Sequence, residues 1–256
     1  MADDNDVNDC SNIIQNMRLI LKHPTCNINA TDSKGRTALH WICFDLKSVA
    51  AARLLLSQDG IDFGVYDKDG YTVLHILMNE INNSNVSTAT LILNEIFEHQ
   101  PNDYFMGLRD KFGLNILDRF LCNTRMHSYD LDISTTMKHI LKLVLSIRGM
   151  VTASGKTLAL AGTLCSPSVF QMLVDAEANP NDSLKDKTTA HCVIARNSLA
   201  KCTLLSSMDP YLSVKWMGST AVELARINRC NIGTIDIIET STPTPNDNKQ
   251  FKTSDA

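Results

Sequence analysis

Asp32-Ser33-Lys34-Gly35-Arg36-Thr37-Ala38-Leu39-His40 returns 35 residues later as Asp67-Lys68-Asp69-Gly70-Tyr71-Thr72-Val73-Leu74-His75. A third copy, Asp110-Lys111-Phe112-Gly113-Leu114-Asn115-Ile116-Leu117-Asp118, keeps the Asp, the Gly and the Leu. Weaker copies stand at Ser154-Gly155-Lys156-Thr157-Leu158, at Asp186-Lys187-Thr188-Thr189-Ala190-His191 and at Gly218-Ser219-Thr220-Ala221. Asp and Gly three apart spell a tight turn, with glycine taking a backbone conformation that other residues resist. The Thr two places on is a helix N-cap, its hydroxyl accepting from an amide of the first turn. Leu39 and Leu74 then open helical patterns with apolar residues on one face. A second, more apolar helix follows, as in Ala50-Ala51-Ala52-Arg53-Leu54-Leu55-Leu56, and ends at Asp59-Gly60.

Such a repeat means stacked units, each too small to bury its apolar face alone. The unit resembles the ankyrin repeat, whose signature is D-x-x-G-x-T-P-L-H in about 33 residues. The tails Asn27-Ile28-Asn29, Gly60-Ile61-Asp62, Ala178-Asn179-Pro180-Asn181 and Asp209-Pro210 are similar to the family's G-A-D-x-N. The resemblance implies an all-α repeat solenoid, an ankyrin stack of paired antiparallel helices joined by β-hairpin loops. Residues 12–239 are expected to hold a helical cap around Ile13–His23 and about six hairpin-led units, between a flexible acidic leader (1–11) and a disordered tail (240–256).

Departures from the pattern carry expectations of their own. Ala38, Val73 and Ala221 stand where the family places proline. Asn79 to Ser87 is too polar and asparagine-rich for a packed helix, which argues for an extended internal loop at 79–87, and a second is expected at 123–134. These loops are either partner-contact elements or tolerated insertions. The Asp186 copy lacks its glycine, so its register is open by a residue or two.

Composition narrows the function. The chain has 256 residues, 44% hydrophobic and 20% charged, with a formal net charge of −4, enough to bury a core and no electrostatic footprint for nucleic acid or an anionic membrane. Basic residues such as Lys138, Lys142 and Arg148 read as a solvated helix face, so direct nucleic-acid binding is not expected. The acidic start Asp3-Asp4-Asn5-Asp6 is the opposite of a secretory signal, and no apolar run reaches the length of a membrane span. The expected location is cytoplasmic, nuclear or both. None of the eight cysteines forms a C-x-x-C pair, and most sit in apolar runs as small hydrophobes.

Catalytic readings fare poorly. Gly155-Lys156-Thr157 suggests a phosphate-binding loop, but the required first glycine would fall on Met150, and Gly155 and Thr157 already serve the repeat. His40 and His75 occupy equivalent repeat positions, and His191-Cys192 is an adjacent pair whose side chains diverge on a helix. No catalytic, metal or cofactor residues are assigned, and no cofactor is expected.

The expected role is a non-enzymatic scaffold for protein–protein interaction. The alternatives are an enzyme with a cryptic thiol or phosphate site, or an ankyrin fragment of a larger multidomain protein. The family resemblance implies a binding face of hairpin tips and first helices. In the first unit this is Ser33, Lys34, Arg36, Phe44 and Asp45. In the second it is Tyr66, Lys68, Asp69, Tyr71, Asn79 and Glu80, in the third Arg109, Lys111, Phe112 and Leu114, and in the last Trp216, Met217 and Ser219. Aromatics interleaved with basic turns suit a protein partner with acidic or amphipathic segments. The six-unit count is similar to the inhibitor-of-NF-κB group, the internal loops to the fungal cell-cycle box factors, and Ala38-Leu39-His40-Trp41 to those and to Notch ankyrin domains. By that analogy the partner is a transcription regulator. The absence of a D-S-G-x-x-S phosphodegron weighs against the inhibitor reading.

Overall fold

In a computed structural model the described residues are 4–99, 102–123, 135–147, 149–185, 187–196, 198–208, 210, 215–216, 219–228, 230, 235 and 237. They form thirteen helices and two short hairpins. The chain divides into two compact units, Met1–Thr157 and Leu158–Ala256. In the first, the helices that follow the repeat turn are α2 (Ala38–Asp45), α4 (Val73–Glu80) and α7 (Ile116–Leu121), each packed on the next. Their partners α3 (Val49–Leu56), α5 (Val86–His99) and α8 (Thr135–Leu145) form a second row. Helix α1 (Asp4–Leu21) packs against α3 at the end of that row, and the short α6 (Asn102–Met106) follows α5.

The second unit repeats the scheme with α9 (Thr157–Leu164, its first residue closing the previous unit), α10 (Pro167–Asp175), α11 (Thr189–Ala195), α12 (Leu199–Ser206) and α13 (Ala221–Ile227). There α10 packs on α12 and α11 on α13. A Cβ on Gly162 of α9 would come 3.0 Å from Val193 Cγ2 of α11, so the small residue sets how closely those helices approach. Lys201 is buried and donates to the Ala161 and Gly162 carbonyls (3.2 and 3.1 Å), a cation at a helix C-terminus where the carbonyl dipoles favour it.

Each strong repeat turn is built alike. Gly35 N–H donates to Asp32 C=O and Asp32 N–H to Arg36 C=O (2.9 and 3.0 Å), a type I turn closed by a left-handed glycine with φ 75°. Gly70 and Gly113 repeat this with φ of 73° and 70°. At Gly70 the space is closed as well, since an added Cβ would lie 2.8 Å from Lys111 Cβ. Successive turns are tied by Lys68 N–H to Lys34 C=O (2.9 Å) and Lys111 N–H to Gly70 C=O (3.2 Å).

The Thr-x-x-His part is a capping box with histidine in the place more often held by Glu. His40 N–H donates to Thr37 Oγ1 (3.4 Å) while Thr37 N–H donates back to His40 Nδ1 (3.1 Å). Thr72 and His75 repeat it, with Oγ1 2.8 Å from Nδ1. His75 and His191 then donate from Nε2 to the next turn, at Leu114 C=O (3.1 Å) and Ser219 C=O (3.2 Å). Third-unit Asn115 and Asp118, and Thr220 with Glu223 at α13, use the same geometry with other residues.

Two expectations are corrected, and one register left open is fixed. The 79–87 segment is not an extended loop: α4 runs to Glu80 and α5 begins at Val86. The asparagines make the corner. Asn82 Oδ1 accepts from the Ser84 and Asn85 amides (2.9 and 3.2 Å), Asn85 Oδ1 accepts from Asn82 N–H (2.8 Å), and Asn85 Nδ2 donates to Glu80 C=O (2.9 Å). Short amide side chains imitate backbone partners, so a polar run becomes a tight cap. The unit's extra length lies instead in the 14-residue α5, against 8 residues in α3, and in α6.

At the Asp186 copy the turn joins β1 (Ser183–Leu184) to β2 (Lys187–Thr188) as a hairpin, with Lys185 taking a left-handed φ of 49°. Thr188 is the N-cap and His191 its partner (2.8 Å), which settles the register. Helix α1 starts at Asp4, inside the stretch expected as a leader. Residues 124–134 and the tail 240–256 lie outside the described residues.

Candidate protein-binding face

The face is organised by the repeat aspartates. Each turns one carboxylate oxygen onto the two amides of its own turn: Asp32 onto Lys34 and Arg36, Asp67 onto Asp69 and Tyr71, Asp110 onto Phe112 and Leu114, all at 2.8–3.0 Å. The second oxygen takes a side-chain donor, and in two turns it comes nine residues on. Trp41 Nε1 donates to Asp32 (3.0 Å), and Arg119 pairs with Asp110. In the second unit that position is Ile76, which has nothing to donate, so Arg36 of the preceding turn reaches Asp67 instead (3.3 Å).

These pairings set the charges. The amide of Arg36, with that of Lys34 and the Trp41 indole, holds Asp32 below the usual carboxylate range against an opposing effect of desolvation. Burial pushes Asp110 up, but Arg119 and the Leu114 and Phe112 amides outweigh it and leave the carboxyl lowered.

The cations in turn fix the aromatics. Arg36 lies 5.4 Å from the Trp41 ring and 5.5 Å from that of Phe44, and those rings meet edge-on at 5.8 Å. Tyr71 lies between Lys111 (5.4 Å) and Arg119 (4.9 Å), and Phe112 is reached by the same two groups (5.4 and 5.6 Å). Aromatic–cation stacking at exposed sites contributes about 0.5–1 kcal/mol each. Its larger effect here is to hold rings in place while they face solvent: Phe112 is 58% exposed, Tyr66 47%, and Trp41 and Phe44 43%.

The residues singled out from sequence separate into groups. Ser33, Lys34 and Lys68 are exposed at turn tips, as is Asp69, which sits between Arg36 (3.8 Å) and Lys111 (4.0 Å). Asp45 is exposed and pairs with Lys47 (2.9 Å). Asn79 is exposed at the end of α4, its amide donating to the Glu80 carboxylate (3.1 Å), while the Glu80 carbonyl serves the asparagine corner. Tyr71 and Leu114 are half-buried, and Leu114 C=O receives His75. Arg109 is not a free surface anchor: its guanidinium donates to the carbonyls of Met106 (2.5 Å), Leu108 (2.8 Å) and Ala153 (2.8 Å) and clamps chain segments together. Trp216 is in β3 (Lys215–Trp216), paired with Ser219 of β4 (Ser219–Thr220), with its side chain outside the described residues, as is all of Met217.

Trp41 and Arg119 belong to the face and were not among the residues chosen from sequence. Their common signal was the place nine residues after the repeat Asp.

The competing chemistry also has its geometry. Burial pushes the Cys43 and Cys202 thiols up to about 12 and that of Cys122 to about 11, the reverse of what a nucleophile needs. Thr157 donates its hydroxyl to buried Asp118 (2.8 Å), and Lys156 Nζ turns toward the Phe112 carbonyl (3.5 Å) rather than a phosphate cradle. No group of three or more metal-ligating side chains occurs among the described residues, and no described helix is long and apolar enough to cross a membrane.

No family model matches the chain. An ankyrin repeat protein of Rickettsia bellii (strain RML369-C) is 29% identical over 85 residues, 33% of this chain and 86% of that one. Among solved structures, the ankyrin repeat domain of Bcl-3, described as a unique member of the IkappaB protein family, superposes with a TM-score of 0.64 at 18% identity, over 89% of this chain and 95% of that one. The human ASB11 ankyrin repeat domain does so at 0.60 and 16% identity, over 91% and 96%. The class is therefore an all-α repeat solenoid. Within it the fold is that of the ankyrin repeat domains, which generally serve as protein-interaction modules.

Proposed function

We propose that this chain is a non-enzymatic scaffold that binds a partner protein through the turn tips and first helices of its N-terminal unit. One observation carries the reading. Trp41, Phe44, Tyr66 and Phe112 are exposed on one unit, and three of the four rings are held by cations that are themselves anchored on carboxylates. Aromatic anchors whose geometry is set before binding lose little entropy on docking. The raised thiols and the engaged Lys156 and Thr157 favour a scaffold over a thiol or phosphate enzyme.

The test is affinity capture from cell extract with the wild type, a Phe44→Ala/Phe112→Ala variant and a Leu91→Ala control, matched for helicity. Leu91 is 46% exposed but lies on second-row helix α5. Partners should vanish with the double variant and stay with the control, and their persistence in the double variant refutes the assigned face.

The finer reading is a transcription or signalling regulator as partner, met in the cytoplasm or nucleus. Its support is the fold likeness to the Bcl-3 domain. Captured partners drawn wholly from other classes would overturn it.

A further inference from the structure

Resting on that reading of the face, we propose that its turn tips take an acidic, extended segment of the partner, with carboxylates meeting Lys34, Lys68 and Lys111 in turn and an apolar side chain seated on Phe112. The three exposed lysines stand on three successive repeat turns of one unit. Contacts between turns order them: Lys68 N–H to Lys34 C=O (2.9 Å) and Lys111 N–H to Gly70 C=O (3.2 Å).

The repeat aspartates of the same turns are engaged by neighbouring donors. Asp32 holds two amides and the Trp41 indole, while Asp67 and Asp110 are buried on amides and arginines. Of the described tip carboxylates Asp32 and Asp69 are exposed, and Asp69 lies 3.8 Å from Arg36 and 4.0 Å from Lys111. Lys34 and Lys68 have no ion-pair partner among the described residues. In a chain of formal charge −4 the tips thus gather exposed positive charge beside a 58% exposed phenylalanine. Opposite charge on a partner both steers its approach and sets its register.

Spacing defines the ligand further. Helices packed side by side lie about 8–10 Å apart, so successive tips recur at that interval. An extended polyproline II chain advances roughly 3.1 Å per residue with three residues per turn, so acidic groups at every third residue share one face and keep step with the lysines.

Fluorescence anisotropy on the full chain tests this with a labelled peptide bearing Glu at every third position and one central Leu, its Glu→Gln counterpart, and a short DNA duplex. The Glu peptide should bind, weaken as salt rises, and lose about tenfold in affinity to a Lys34→Glu/Lys68→Glu/Lys111→Glu variant. Asp69→Asn, which leaves the buried aspartates in place, should tighten binding about threefold. Equal binding of the Gln peptide, duplex binding as tight as the peptide's, or an affinity that neither variant moves would overturn the proposal. If the Glu peptide fails to bind while Phe44→Ala/Phe112→Ala still abolishes capture, this ligand is wrong and the binding face stands.

Discussion

Replacing His75 with Gln should remove much of the acid sensitivity of the N-terminal unit. His75 is buried between α4 and the next turn, with Nδ1 facing the Thr72 amide (3.4 Å) and hydroxyl (2.8 Å) and Nε2 donating to Leu114 C=O (3.1 Å). That hydrogen-bond pattern assigns the neutral imidazole with its proton on Nε2, and a second proton at Nδ1 would confront an amide N–H. Burial lowers the pKa to about 4, with the Leu114 carbonyl and Asp110 opposing and Arg119 and Arg109 adding to the fall.

The unfolded chain binds the proton near 6.5, so the unfolded state carries more protons in the interval and stability falls as pH drops through it. Between pH 7 and pH 5 this one histidine withdraws about 2 kcal/mol. Gln at the third helical position keeps a neutral acceptor for the Thr72 amide in the capping box but does not titrate. Urea unfolding followed by Trp41 emission, with Trp216→Phe in both proteins, reports on this unit. At pH 7 the variant should be weaker by about 1–2 kcal/mol through the lost Leu114 bond. Its further loss on going to pH 5 should be smaller than the wild type's by about 2 kcal/mol. Equal pH losses in the two proteins would refute the burial argument, because His40 and His191 are common to both.

Two other substitutions probe the same unit. Asn123 is buried at the end of the third first helix and donates to the Met78 and Ile81 carbonyls (both 2.9 Å), so Asn123→Ala strands the end of α4 and should cost about 2–4 kcal/mol in urea unfolding. Arg119→Met leaves buried Asp110 without its cation and should cost about 3 kcal/mol at pH 7. Because the folded Asp110 pKa is lowered, its contribution exists above the unfolded carboxylate pKa and is lost as pH falls below it, so a pH 7 to pH 3 titration should show a smaller acid loss in Arg119→Met than in wild type.

Much of the face was legible because the repeat is local chemistry. Asp, Gly and Thr at fixed offsets make the turn and the cap with no help from elsewhere, and the tip residues Lys34, Lys68 and Phe112 are exposed wherever such a turn projects. One error arose where a residue's partner lies one repeat away, and another where the partners are local but composition does not name them. Arg109 reads as a surface cation in sequence, but its guanidinium is drawn in by carbonyls as distant as Ala153. The asparagine run reads as loop because polar composition says nothing of which amides it will satisfy.

Sequence by itself determined the unit: a turn, a capped helix, a second helix, and a histidine able to reach the next turn. It also placed aromatics beside cations at the tips. Tertiary structure alone decided which donor meets which carboxylate. Asp32 takes its own Trp41 and Asp110 its own Arg119, but Asp67 takes the preceding unit's Arg36 because Ile76 offers nothing. The reason is physical. A buried carboxylate oxygen needs a donor from any quarter, and in a stack the neighbouring repeat is as near in space as the chain's own next turn.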